Sequence, residues 1–413
     1  MPRRTSSTAA VTGVLTAVAL TLGGASVAEG AVGAVGAVGA ATSVRVPNHA
    51  TLKISGRGFG HGHGMSQYGA QGAARQGLSA KQIVAFYYPH TLAGKAGGKV
   101  KVLISADTDN NTTVLTAPGL KVVDLGNGSS HPVPTAGAVG KATRWRLSPA
   151  GGGRTTVAYR TAAWHTWRTL AGDGEFLASR PLTLVVGSGH VTYRGILQSR
   201  TPVGGPATRR ITVNKVSLEA YVQGVIPREM PASWLPAALR AQAIAARTYA
   251  SFEARSSSNP LVNLCDTSAC QVYGGKSAEF STTNAATAKT VGVIRTFHGA
   301  PAFTQFSASN GGWMAKGSQP YLVAKKDTFD PWSGNPYRSW TTNVTAAGVE
   351  KAFPSIGNLT SISVTSRDGH GLLGGRVLTM KLVGSKGTVT PSGDTFRSAL
   401  GLRSTWFVVA VAG

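Results

Sequence analysis

The chain has 413 residues, enough for two or three domains and a large hydrophobic core. Hydrophobic residues make up 42% and mean hydropathy is +0.01, which excludes both a disordered chain and a protein of many membrane spans. Lys and Arg number 41 against 16 Asp and Glu, a net charge of +25, so the surface suits a polyanion, a membrane surface or an acidic wall polymer.

Arg3 and Arg4 precede an uncharged run from Ala9 to Leu22, and Ser26 and Ala28 fill the two small places of a cleavage site. Residues 1–28 therefore read as a secretory signal peptide. The alternative is a membrane anchor, for which the run is short. No other segment approaches spanning length, so no stable span is expected after cleavage. An exported basic protein does not meet nucleic acid where it works, and the charge points to an anionic cell envelope. Residues 31–40 repeat Ala-Val-Gly, and 29–49 read as a flexible tether.

Leu52–Ser55 alternates like a short strand, and a glycine-dense loop follows from Gly56 to Gln67. Helices are expected from Gln67 to Gln76 and from Ser79 to Tyr87, the second with Ser79 as N-cap. Residues 99–200 carry short apolar runs, such as Val100–Ile104 and Leu182–Val186, punctuated by Gly, Asn and Pro: a β-rich subdomain. Residues 201–413 mix strands and loops with one long Ala-rich helix from Pro236 to about Ala254. The fold class is thus α+β. That helix has few polar members, so burial of most of its circumference would oblige Gln242 and Arg247 to find partners inside; solvation is the simpler alternative.

Glu229 lies between Pro227 and Pro231 among apolar residues, which reads as a rigid turn. Burial there would raise its pKa and suit a general acid, whereas a surface Glu paired with Arg228 is the bland alternative. Only Glu219, Glu229, Glu253 and Asp266 are acidic between 201 and 270, so a two-carboxylate glycosidase pair is hard to assemble locally. Cys265 and Cys270 favour a local disulfide in an oxidising compartment; a zinc site would need two further ligands, and no His lies nearby. His61 and His63 could form a metal pair, but no dinucleotide-binding glycine register fits the loop that holds them.

The run Glu219-Ala-Tyr221-Val-Gln-Gly224-Val-Ile-Pro227-Arg228-Glu229-Met230-Pro231, followed by Ala238-Leu-Arg-Ala-Gln242-Ala-Ile-Ala-Ala-Arg247-Thr-Tyr249, closely resembles the stage II sporulation protein D family, which includes amidase-enhancer proteins of bacterial cell walls. Further matches are Cys270–Tyr273, Ser307–Gly312, Gln319–Leu322 and Phe396–Ser404. The resemblance implies a lytic transglycosylase acting on peptidoglycan glycan strands without stem peptides, in a catalytic domain over 201–413. Its acid is the Glu of Glu-Met-Pro, here Glu229. One acid suffices, because it protonates the leaving oxygen and then accepts the proton of the sugar's own C6 hydroxyl, giving a 1,6-anhydro end. No cofactor and no metal are implied. The residues expected to contact glycan are His61, Gln67, Tyr221, Arg228, Gln242, Arg247, Tyr273, Ser307, Ser309 and Asn310. A cell-wall amidase is a further expected partner, and a non-catalytic enhancer of such an amidase is the alternative function.

Asn310-Gly-Gly-Trp-Met314 departs from the family's Ser-Gly-Gly-x-Thr, and the His that accompanies the Cys pair in zinc-binding relatives is absent, which favours the disulfide. The family's Gly-His-Gly-x-Gly-Met-Ser-Gln element ordinarily closes the chain but here occupies 60–67. Residues 50–93 thus read as a permuted element packed on the catalytic domain, with Ala93–Gly98 as its new connection. The strand at 52–55 should lie beside 406–409, and His61 should border the cleft of Glu229. A separate wall-binding module is the alternative.

Overall fold

Among the described residues, seven α-helices and many short strands build the α+β fold expected from the sequence. The computed structural model describes residues 43–412; the expected signal peptide, and the expected tether as far as residue 42, lie outside the described residues.

Two sheets dominate the first half. One has seven strands in the order Leu264–Cys265, Lys99–Leu103, Ile211–Ser217, Ile196–Arg200, Gly174–Leu177, Lys121–Asp124 and Ser130–Pro132. The other has six, in the order Trp164–Leu170, Arg154–Arg160, Arg144–Ala150, Thr112–Leu115, Leu182–Val186 and Gly189–Tyr193. Strict alternation sends Trp145, Leu147, Val157, Leu182 and Leu184 into the core and Arg144, Arg146 and Arg160 to the outer face. The seven-stranded sheet takes two strands from beyond residue 200, so the β-rich part and the segments after it share backbone hydrogen bonds.

The helices stand beside this sheet. Helix α1 (Gln67–Arg75) is capped by Ser66, whose Oγ accepts from the Gly69 N–H. Helix α2 (Ala80–Tyr87) starts in a full capping box between Ser79 and Gln82. Helix α3 (Leu218–Glu229) is capped by Ser217. Helix α4 (Pro236–Ser256) is buried without a break from Ala241 to Ala250. Its alanines let α1, α2, α3 and α5 (Ser281–Ala288) pack around it.

A second, smaller core gathers Leu52, Ile54, Trp340, Leu382, Phe396 and Phe407. Here Thr51–Gly56 runs antiparallel between Trp340–Thr345 and Phe407–Val411, with Ile54 opposite Val409 and Gly56 opposite Phe407. The chain's early and late strands are therefore direct neighbours. Helices α6 (Ala346–Ala352) and α7 (Gly393–Ala399) flank this core.

Two linkers differ from expectation. Of the expected tether 29–49, Ser43–Arg45 forms a strand against Leu359–Arg367 and Val46 is buried, because this small core needs an apolar cover. The expected connection Ala93–Gly98 is also ordered at its start: Leu92–Lys95 pairs with Val293–Phe297. Arg295 reinforces that junction, as its guanidinium donates to the hydroxyl and carbonyl of Thr91.

Candidate functional site

Glu229 is the last residue of α3, not part of a turn. Met230 is extended ahead of Pro231, since a residue preceding proline is driven out of the helical region, and the helix stops there. The carboxylate is half-buried and held at two points. The Val272 N–H donates to Oε1 at 2.8 Å, and Gln67 Nε2 donates to Oε2 at 3.1 Å. Burial pushes the carboxyl above the ordinary glutamate range, while the Val272 and Gln67 bonds and the Arg228 charge pull it down. A position at the negative end of a helix also disfavours the anion. None of the groups acting on it is a second acid. The geometry suits one proton carrier with a raised pKa.

The Val272 donor is delivered by a stapled loop. Cys265 and Cys270 form the expected disulfide, and the chain passes from Cys270 through Gln271 to Val272. Tyr221 OH donates to Gln271 Oε1 at 3.0 Å, and Tyr273 OH donates to Asn214 Oδ1 at 2.8 Å. Tyr221 is fully buried and Tyr273 nearly so, with ring centroids 5.0 Å apart. Both wall the loop that carries the Val272 N–H. Gly224 is fixed by that wall, because a Cβ there would strike the Tyr273 ring.

The Gln67 donor comes from the glycine-rich element. Ser66, immediately before it, donates to Asp330 Oδ1 at 2.5 Å. Asp330 also accepts from Ser309 Oγ, the Asn310 N–H and Asn335 Nδ2. Asp327 accepts from Tyr87 OH at 2.8 Å and Asn310 Nδ2 at 2.7 Å. Both aspartates are buried, and among the described residues no cation lies within ion-pair distance of either. Burial, with the neighbouring Asp327 charge, pushes Asp330 up to about 6. Burial likewise raises Asp327.

The residues expected to touch glycan thus divide. Gln67 meets Glu229, and Arg228 is exposed beside it in sequence. Ser309 and Asn310 are fully buried, their polar groups turned to the two aspartates, so they hold the site's frame rather than line a surface. Ser307 Oγ accepts from the Gly62 N–H at 3.2 Å. Arg247 is fully buried and forms a bidentate pair with Glu219, 2.8 and 2.7 Å, that ties α4 to α3. Gln242 is fully buried with neither amide atom bonded to protein.

His61 packs against its near neighbour in the glycine-rich loop. Its ring stacks on His63, and its Nδ1 accepts from the His63 N–H at 2.9 Å. Burial pushes its pKa down to about 3, helped by His63 and Arg376, so the imidazole is neutral. Gly60 and Gly62 both have positive φ, and a Cβ at either would strike Ser307 or Arg376.

An aromatic row adjoins Gln67. Tyr68 meets Trp234 edge-on at 4.9 Å and Tyr337 at 5.5 Å, and exposed Phe59 meets Tyr337 at 4.9 Å. Gln71 Oε1 accepts from the Leu235 N–H at 3.0 Å, which fixes this row to the segment just after Glu229. Sequence reasoning missed this row, the Val272 amide and the Asp327–Asp330 pair. The rarity of acids in so basic a chain was the available signal for the pair. The amide carries no side-chain signal.

Comparisons with known proteins cover the segment that carries Glu229. The family model described as stage II sporulation protein matches residues 207–297, the stretch containing Glu229, α4 and the disulfide. The amidase enhancer of Bacillus subtilis (strain 168) is 44% identical over 119 residues, which is 27% of this chain and 16% of that protein. An uncharacterized protein of Brachyspira hyodysenteriae is 37% identical over 115 residues, 31% of its length. The chain thus spans less than a third of either of these two relatives. The stage II sporulation protein D of Bacillus amyloliquefaciens is 30% identical over 253 residues, which is 53% of this chain and 70% of that relative. The chain belongs to the stage II sporulation protein D family.

Proposed function

We propose that the protein is an exported lytic transglycosylase of the cell wall that cleaves peptidoglycan glycan strands lacking stem peptides. The observation that carries this reading is Glu229: a half-buried carboxyl with a raised pKa, two neutral donors and no acidic partner. Its protonated form delivers a proton to the glycosidic oxygen that leaves N-acetylmuramic acid. The resulting carboxylate takes the proton of the C6 hydroxyl, whose oxygen closes on C1 to give the 1,6-anhydro sugar. Proton count is restored at Glu229, and no water is consumed. Gln67 and the Val272 amide hold the carboxylate during the interval in which it is charged. Phe59, Tyr68, Trp234 and Tyr337 offer ring edges and faces for sugar packing. Lactyl carboxylates of the stripped glycan suit the basic surface. The glycine-rich element over 50–93 supplies Gln67 from the opposite end of the chain order to the family's usual one, in keeping with a circular permutation.

Purified protein incubated with glycan freed of stem peptides tests this. Mass analysis is expected to show 1,6-anhydro ends, and Glu229→Gln is expected to abolish them. Reducing ends in their place would mean that water attacks and the mechanism is wrong.

The name of the Bacillus subtilis relative supports a second reading, a non-catalytic enhancer of a wall amidase. In that case no glycan cleavage occurs, and Glu229→Gln leaves stimulation of an added amidase intact.

A further inference from the structure

We propose that the outer face of the six-stranded sheet, around Arg144, Arg146, Arg160 and Trp164, is a docking surface for a linear phosphodiester-linked polyol polymer. Residues 141–170 contain Lys141, Arg144, Arg146, Arg154, Arg160 and Arg168 and no Asp or Glu. Register places Arg160 directly opposite Arg144 on one side and Trp164 on the other, all in one row across three strands. Two arginines directly opposed on a sheet repel each other. Among the described residues neither lies within ion-pair distance of a carboxylate, and neither guanidinium donates a hydrogen bond to protein. Arg146, one row on, feels both of them, with Asp109 the only acid acting on it.

The face is also stiffened. Arg146 lies opposite Ala158, whose methyl leaves the lane open, and its guanidinium reaches across to sit 3.9 Å above the Trp164 ring. Its Nε donates to Thr113 Oγ1 at 3.2 Å. Stacking on indole fixes a side chain that otherwise holds much rotamer entropy, so less is lost when an anion arrives. A row of like-charged guanidiniums, with Arg146 fixed among them, is stabilised by an external anion, and the guanidinium fork matches phosphate oxygens.

Spacing selects the polymer. Neighbouring strands are about 4.8 Å apart and same-face residues recur at about 6.8 Å along a strand. A polyol phosphate carries one charge in every short repeat and matches this density. Stripped glycan carries one carboxylate for every two sugars and does not. Nucleic acid has the charge density, but stacking of unpaired bases needs free aromatic faces, and Arg146 lies over Trp164 as Arg168 lies over Trp167, at 3.9 Å each.

The test measures binding of the intact protein to synthetic polyglycerol phosphate across a salt series. Parent affinity should fall as salt rises. Arg144→Gln/Arg146→Gln/Arg160→Gln should bind at least about tenfold more weakly and flatten the log–log salt slope by about two, at roughly 0.7 per lost phosphate contact. The exposed triple Lys53→Gln/Lys81→Gln/Lys381→Gln removes the same charge elsewhere and should bind like the parent. Ala158→Glu, which places a carboxylate among the guanidiniums, decides the matter if the triple variant does not fold, and should also weaken binding about tenfold. Equal losses in both triple variants would mean that net charge alone is read, and the proposal fails. It fails equally if Ala158→Glu binds like the parent, or if single-stranded nucleic acid of the same charge binds as tightly through the same arginines.

Discussion

Half-buried Glu229 and the buried Asp327–Asp330 pair are carboxyl groups with raised pKa values, and both bear on the start of α1, through adjacent residues. They differ in how completely they are satisfied. Asp330 is closed in by Ser66, Ser309, Asn310 and Asn335, and Asp327 by Tyr87, Asn310 and backbone N–H groups. Glu229 has two donors and is only half-buried. A carboxyl caged on all sides cannot meet a substrate, whereas one with spare lone pairs and an open side can. A raised pKa therefore does not distinguish the working acid from the structural one; access and adaptable partners do.

Amide substitution separates the two sharply. Glu229→Gln should lower glycan cleavage by at least about 100-fold, the low end for general acid catalysis. Its stability should be unchanged, because the Gln67 amide can rotate to present its oxygen to the new NH2. Asp330→Asn has no such escape. An amide NH2 placed at Oδ2 meets the Asn335 amide donor to donor, and one placed at Oδ1 meets the Asn310 N–H and the Ser66 hydroxyl. Its expected cost is about 1–3 kcal/mol of stability. Denaturant unfolding of both variants beside glycan digestion checks this; a destabilised Glu229→Gln or an unaffected Asp330→Asn would erase the distinction.

pH gives a second separation. Asp330 has its folded pKa pushed up to about 6, above the unfolded value of about 3.9, so between these values the folded state holds the extra proton. Stability from this group is present below the unfolded pKa and lost as pH rises through the folded one. Parent stability should fall between about pH 4 and 6 in a step that Asp330→Asn removes. In the proposed mechanism Glu229 instead governs activity: cleavage should decline on the alkaline side as its carboxyl ionises. Gln67→Met removes a donor to the anion and should move that decline upward by about one pH unit, measured as kcat/KM against pH.

Much of this was legible beforehand. The Ala-rich spacing of α4, the cap Ser79, and the alternation of Leu52–Ser55 each encode a local conformation that the fold keeps. The Glu229 motif and the Cys pair were visible as residue types at short spacing. What lay hidden was long-range. Asp327 and Asp330 are ordinary loop aspartates until Ser66 and Tyr87, some 240 to 264 residues away, come to meet them. Ser309 and Asn310 looked like surface donors because sequence shows donor capacity and not direction. Tether residues 43–46 carry too little pattern to reveal that they cover a core.

The disulfide joins the two regions' logic, as it is covalent support for the Val272 contact to the proposed acid. Closing a ring of this size stabilises by about 2 kcal/mol in the loop-entropy picture. Cys265→Ala/Cys270→Ala should lose about that much in denaturant unfolding. It should also lose activity out of proportion to the unfolded fraction, since Val272 N–H is then held less firmly against Glu229. A variant that loses stability while its folded fraction keeps full activity would assign the bridge to the frame, with the aspartates.

The smallest expected effect concerns Trp234. It stands five residues beyond Glu229, half-buried, with Tyr68 edge-on at 4.9 Å. Tyr68 follows Gln67 directly, so the ring row and the acid's donor share one segment. If sugar rings pack on this row, Trp234→Ala removes about 1 kcal/mol of binding shared by ground and transition states. KM should then rise roughly fivefold with kcat nearly unchanged, the signature of uniform binding. Trp234→Phe keeps an aromatic face and should restore most of the loss. The opposite outcome, a fall in kcat at constant KM, would mean that Trp234 acts through Tyr68 and Gln67 on the position of the Glu229 carboxyl. The aromatic row would then belong with Asp330 among the groups that hold the acid, and the sugar-packing surface would have to be sought elsewhere around Glu229.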